Sequence, residues 1–237
     1  MNSSNYSAKY ELYKFISFFK QVYKIYKYPV DTIQICNDDD TTVLCMHNFK
    51  TIGFCGAAFP GDKKDTIILN SNRSPKQLNF DCGHEIIHLI KHKEQVDGAF
   101  TCFEKKQNSF LEWEANEGSA ELLMPYRELL PILKLNWDYL NSSSKIYEFK
   151  EALSQKFMAP PATVEIRISN LKYETYQYLN GVDLDNIEIL SNKQQKSRGI
   201  CIESLNDIHK TLQAREEFKI FIQKPITKSN PPLEAII

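Results

Sequence analysis

The sequence predicts an α+β fold in which helices pack on a small antiparallel sheet, and three observations predict it. Short runs rich in β-branched residues fill the stretch 32–69 and are punctuated by turn residues. From Ser74 onward the apolar period changes to that of helices. The chain has 237 residues, 42 % of them hydrophobic and 25 % charged. That is ordinary globular usage, which excludes disordered and fibrous classes and suffices for a core without covalent staples.

The elements follow in order. Over 8–27, Leu12, Phe15, Ile16, Phe19, Val22, Tyr23 and Tyr26 recur at helical spacing, with Lys14, Lys20, Lys24 and Lys27 among them. This reads as a core-packing helix with a solvated lysine face, and a helix lying on a membrane surface is the alternative. Strands are predicted at 32–36, 42–47, 51–59 and 66–69, with Asn37-Asp38-Asp39-Asp40, Asn48 and Pro60-Gly61-Asp62 as breaks. Their spacing suits antiparallel pairing. The three aspartates read as a solvated turn rather than a cation site.

Ser74-Pro75-Lys76-Gln77 supplies a capping hydroxyl, proline at the first helical position and glutamine at the capping-box position. The helix it opens is expected to run to about residue 92. Residues 94–108 read as a loop, 110–123 as a second helix stopped by Pro125, and 126–134, 144–157 and 160–179 as further helices. Beyond Asn180-Gly181 the signal weakens to a polar run at 191–198, short apolar runs at 199–202 and 218–222, and a proline-containing tail. The expected organisation is one domain over 1–180 and a C-terminal extension over 181–237.

Lys and Arg number 29 against 30 Asp and Glu, a net charge of −1, so no basic excess exists to hold nucleic acid directly. No apolar stretch approaches the ~18 residues of a membrane span. Six cysteines at 36, 45, 55, 82, 102 and 201 form no CxxC pair, and the first residues lack a secretory leader. The expectation is reduced thiols in a cytoplasmic protein.

The chemistry centres on His84-Glu85-Ile86-Ile87-His88. Two imidazoles one helical turn apart share a face and can converge on one zinc ion. Glu85 projects differently and can instead take a proton from water that the ion activates. Surface histidines on an amphipathic helix are a poor alternative, because Ile86, Ile87, Leu89 and Ile90 make this helix apolar over much of its circumference. A hydrolytic site needs a third protein ligand. His92 lies ~12 Å along the axis from His84, too far to share the ion, and reads as an outer contact of the site or a surface residue, while Glu94 stands where a longer motif would need histidine. The helix over 110–123 offers Glu112, Glu114 and Asn116. Glu112 and Asn116 share a face, whereas Glu114 points about 200° from Glu112, so only one glutamate can ligate. One of Glu112 and Asn116 could coordinate while the other hydrogen-bonds a ligating histidine. The competing reading makes Glu112, Glu114, Glu117 and Glu121 a solvated face, and the pattern does not choose. Cys82 as a ligand and Tyr126 as an oxyanion donor are weaker candidates.

A resemblance does choose. Ile67-Ile68-Leu69-Asn70, Phe80-Asp81-Cys82-Gly83-His84-Glu85-Ile86-Ile87-His88-Leu89-Ile90-Lys91-His92, Glu112-Trp113-Glu114-Ala115-Asn116 and Ala120-Glu121-Leu122-Leu123-Met124-Pro125 resemble the ImmA/IrrE family of zinc metallopeptidases. The likeness is close over 65–125, with an echo in Phe157 and Arg167-Ile168-Ser169-Asn170-Leu171. Gly118-Ser119 depart from it, standing where the family commonly has Phe-Ala. The resemblance implies a zincin-like α+β fold, Zn²⁺ held by His84, His88 and Glu112, Glu85 as catalytic base, and Asn116 at the outer position four residues on. It implies a cytoplasmic endopeptidase whose partner is a protein substrate, a repressor-like regulator often carried on a mobile element or phage. A non-catalytic zinc-fold module that binds and displaces a regulator is the rival reading.

Overall fold

In a computed structural model of the chain, the described residues are 8–95, 98–104, 110–140, 142, 144–202, 204, 208 and 210–216. Two compact units divide it, residues 1–201 and 202–237. In the second, residues 210–216 are helical, and the apolar run at 218–222 and the tail lie outside the described residues.

Helix α1, Ala8–Val22, turns Leu12, Tyr13, Ile16 and Phe19 inward, so its apolar stripe is a core face rather than a membrane face. It ends short of the predicted 27, where Lys24 takes a left-handed φ of 55°. Residues 32–36 are not a strand. They begin helix α2, Thr32–Asp38, because the Asp31 carboxylate accepts from Gln34 N at 2.9 Å and caps it. Local capping outweighs the β-branched composition there.

Strands β1, Thr42–His47, β2, Phe54–Phe59, and β3, Asp65–Asn70, lie close to their predicted positions. They form a four-stranded sheet in the order β1-β3-β2-β4. The sheet is mixed rather than wholly antiparallel. β2 pairs antiparallel with β3, and β3 lies between β2 and β1 and pairs in parallel with β1. The fourth strand, β4, Phe100–Phe103, comes from a stretch read as loop; at four residues it is too short to show a period. The rest of that loop includes 96–97 and 105–108, which lie outside the described residues.

Helix α3, Pro75–Ile87, starts with the predicted capping box between Ser74 and Gln77 and runs on through a π-helical turn, His88–His92. Helices α4, Phe110–Leu123, α5, Tyr126–Leu135, α6, Trp137–Leu140, and α7, Ile146–Phe157, follow. The predicted helix over 160–179 is two, α8, Pro161–Asn170, and α9, Lys172–Leu179, separated at Leu171. The polar run after 190 holds one more, α10, Asn192–Ser197, with a Ser191–Gln194 capping box. No helix among the described residues is long and apolar enough to cross a membrane.

The layers run from the sheet through α3 to α4, against which α1 packs. Glycines let α3 and α4 approach closely. A Cβ on Gly83 would stand 2.7 Å from Ser119 Oγ, and one on Gly118 would meet three Ile87 carbons at 3.2–3.4 Å. The departure at Gly118-Ser119 is thus a packing feature of this helix pair, with Ser119 Oγ donating to Phe80 O at 2.9 Å. The register of α4 is pinned from its far end by Arg167 of α8. That fully buried guanidinium donates to Glu117 at 2.7 Å, to Tyr13 at 2.6 Å, to the Met124 carbonyl at 3.1 Å, and to Glu121. Lys9 is buried likewise, on Glu174 at 2.7 Å. The acids of α4 are therefore not a solvated face. Buried charge survives there because each is paired.

Candidate metal centre

The capping box sets where α3 begins, and the α-helical period then places His84 and His88 one turn apart on its α4 side. Both rings are buried, with their Nε2 atoms 3.0 Å apart. Glu112, in the first turn of α4, brings Oε2 to 3.5 Å from His84 Nε2 and Oε1 to 3.3 Å from His88 Nε2. Two donors each ~2.0–2.1 Å from a tetrahedral ion lie roughly 3.3–3.4 Å from one another. The three separations bracket that value, so His84, His88 and Glu112 form a group that could hold a metal ion. Burial drives the Glu112 carboxyl upward, but hydrogen bonds from His84 and His88 and their charge outweigh it and bring it down to about 2. Its charged, ligating form is the resting one.

Glu85 faces the sheet, where a Cβ on Gly56 of β2 would come within 3.3 Å of its Oε1. The carboxylate is fully buried and neither oxygen has a hydrogen-bond partner among the described residues. Burial first, then the charges of Glu112 and Asp81 and the nearby Cys55 thiol, push its carboxyl well above the usual range. Cys102 of β4 forms a second group with His84 and Glu85, their ligand atoms all within 4.8 Å. Phe100 of the same strand stacks on the His88 ring, centroids 4.5 Å apart and 15° from parallel. Neither β4 residue could be assigned from sequence, because the strand itself carried no signal.

The remaining candidates sort by contact. His92 is outside the ligand group, as its distance along the helix requires, yet it is fully buried and lies 3.0 Å from His88, Nδ1 to Nδ1. Glu114 points away from Glu112 as expected, but to His92 at 3.2 Å and Lys91 at 2.9 Å rather than to solvent. Asn116 is exposed and donates to the Glu112 carbonyl at 2.8 Å. The contact to a ligating histidine expected of Asn116 is made by His92 instead. Cys82 turns toward α2, its Sγ 3.5 Å from Cys36 Sγ and 3.4 Å from the Thr32 carbonyl. Tyr126 stacks on Tyr13 at 5.8 Å, and Glu94 is exposed.

A comparison with family models matches residues 48–169 to the peptidase M78 family, described as the IrrE N-terminal-like domain. The match spans just over half of the chain, takes in β2, β3, β4 and α3 through α7, and extends past 65–125 on both sides. No curated protein matches the chain.

Proposed function

The chain belongs to the peptidase M78 family, with an IrrE N-terminal-like domain, and on that premise we propose that it is a zinc-dependent endopeptidase that cleaves a repressor-like regulatory protein. The observation that carries this reading is the buried, unpartnered Glu85 carboxylate beside a convergent His-His-Glu group. A buried carboxylate without partners is costly, and such a group is retained where chemistry uses it. Two imidazoles and one carboxylate are the donor set of a hydrolytic zinc site that keeps one position open. Zinc bound there supplies Lewis acidity, making water more acidic and a carbonyl more electrophilic.

The chain's own residues do the rest. His84, His88 and Glu112 fix the donor atoms, and packing of α3 on α4 keeps them in place. Glu85, basic through its burial, takes the proton of the attacking water and passes it to the leaving amine as the peptide bond breaks. A Cβ on Gly56 of the sheet floor would stand 3.3 Å from Glu85 Oε1, so the glycine there leaves the carboxylate its space.

The regulator-directed substrate and the cytoplasmic setting rest on the family resemblance and on six free cysteines. The test is direct. Purified protein is assayed for about one zinc per chain and incubated with the products of neighbouring genes, repressor-like proteins first. Zinc uptake with cleavage at one site is expected. Zinc uptake with displacement of an intact repressor would favour a binding module instead.

A further inference from the structure

We propose that His92 and Glu114, backed by Lys91, are positioning residues that hold the His88 ring with its proton on Nδ1 and its Nε2 lone pair free for the metal. The inference rests on the metal-centre reading above and deepens it.

The contacts form an unbroken chain. Lys91 Nζ lies 2.9 Å from Glu114 Oε1, and Glu114 Oε2 lies 3.2 Å from His92 Nε2. His92 Nδ1 lies 3.0 Å from His88 Nδ1, and His88 Nε2 faces His84 and Glu112. Glu114 as a carboxylate can only accept. His92 must therefore present Nε2–H to it, which leaves the Nδ1 lone pair to accept from His88 Nδ1–H. His88 is then unprotonated at Nε2, the atom that faces the other donors.

With a metal ion between His88 Nε2 and Glu112, the opposite order fails at one end. With the proton on His92 Nδ1, its Nε2 lone pair would stand 3.2 Å from a carboxylate, two acceptors face to face. A doubly protonated His92 would satisfy Glu114 but make His88 accept at Nδ1 and carry its own proton at Nε2. Only the first order suits both the Glu114 carboxylate and a ligand.

This role also accounts for an otherwise unexplained burial. His92 is fully buried and Glu114 nearly so, though neither belongs to the ligand group. The two ligating histidines differ in consequence. His84 Nδ1 has no hydrogen-bond partner among the described residues, whereas the His88 ring is held at Nδ1 by His92 and on its face by Phe100.

The test combines ring-nitrogen NMR of the wild-type chain with zinc affinity of two variants, His92→Phe and Glu114→Gln. In the zinc-loaded wild type the His92 proton is expected on Nε2, facing Glu114, with its Nδ1 accepting from His88. Both variants should bind zinc about 10–100-fold more weakly in chelator competition, with the melting temperature of the metal-free protein near that of wild type. Should His92→Phe fail to fold, Glu114→Gln and the wild-type spectrum still decide. A His92 proton on Nδ1 in the zinc-loaded wild type, or variants that hold zinc as tightly as wild type, would overturn this inference and leave the peptidase reading intact. A wild-type chain that takes up no zinc would overturn both.

Discussion

Gly83 of α3 sits directly against Ser119 of α4, so close that a methyl group on it would stand 2.7 Å from the serine hydroxyl. That hydroxyl is fully buried and donates to the Phe80 carbonyl, so it cannot swing away without losing a buried hydrogen bond. Gly83→Ala gains ~1 kcal/mol of helix propensity but forfeits that bond and overpacks the helix interface at ~1–3 kcal/mol each. Net destabilisation is expected in urea unfolding, and Gly83→Ala combined with Ser119→Gly should recover much of it. A stabilised single variant would mean that the helices can separate freely.

Metal content follows from the 3.0 Å approach of the two Nε2 atoms. His84→Ala or His88→Ala should reduce bound zinc from about one per chain to near zero, measured by elemental analysis after dialysis. Stoichiometric zinc in either variant would move the site elsewhere.

Glu112 and Asn116 share a helix face but not a role. Glu112→Ala removes a donor and should abolish tight zinc binding. Asn116→Ala touches an exposed side chain bonded to a backbone carbonyl, and its zinc affinity should stay within a few-fold of wild type. An affinity lost equally in both variants would give Asn116 the outer role that the structure assigns to His92.

Glu85→Gln keeps size and polarity but cannot accept a proton. It should retain zinc and fold while cleavage falls by ~10²–10⁴. A reporter under the partner repressor, with total repressor followed by immunoblot, reads the outcome. Relief of repression by this variant with the repressor intact would leave the fold standing and remove the peptidase mechanism.

Arg167→Met leaves Glu117 and Glu121 buried without their shared cation. Removing one side of a buried pair costs about 3–5 kcal/mol, so a large drop in the urea midpoint is expected. Adding Glu117→Gln and Glu121→Gln should restore part of it. A single variant as stable as wild type would show that the two glutamates find protons or water instead.

The sequence made the site helix legible almost to the residue, because a capping box fixes its start and the α-helical period fixes which side chains share a face. HExxH then needed only a third donor. The choice between Glu112 and Glu114 came from family resemblance, since residues on opposite helix faces look alike in sequence until a partner is known. Other features were hidden for the same reason. Glu117 and Glu121 resembled a solvated face because their cation, Arg167, lies fifty residues past Glu117. Helix α2 was hidden by β-branched residues behind a one-residue cap, and β4 by brevity. The parallel β1–β3 pairing depends on which edge of β3 is free, something no local pattern records.

The ion network also separates two meanings of the word domain. Similarity to the family begins at residue 48. The buried ion network reaches back to α1, whose Tyr13 hydroxyl bridges Arg167 and Glu117 and whose Lys9 pairs with Glu174. A polypeptide trimmed to the region of similarity would uncover the apolar flank of α4 and leave Arg167 and Glu117 without that bridging hydroxyl. The stretch preceding the family match is therefore a wedge that completes it, and the unit to express, mutate or transplant is larger than the unit that homology detects.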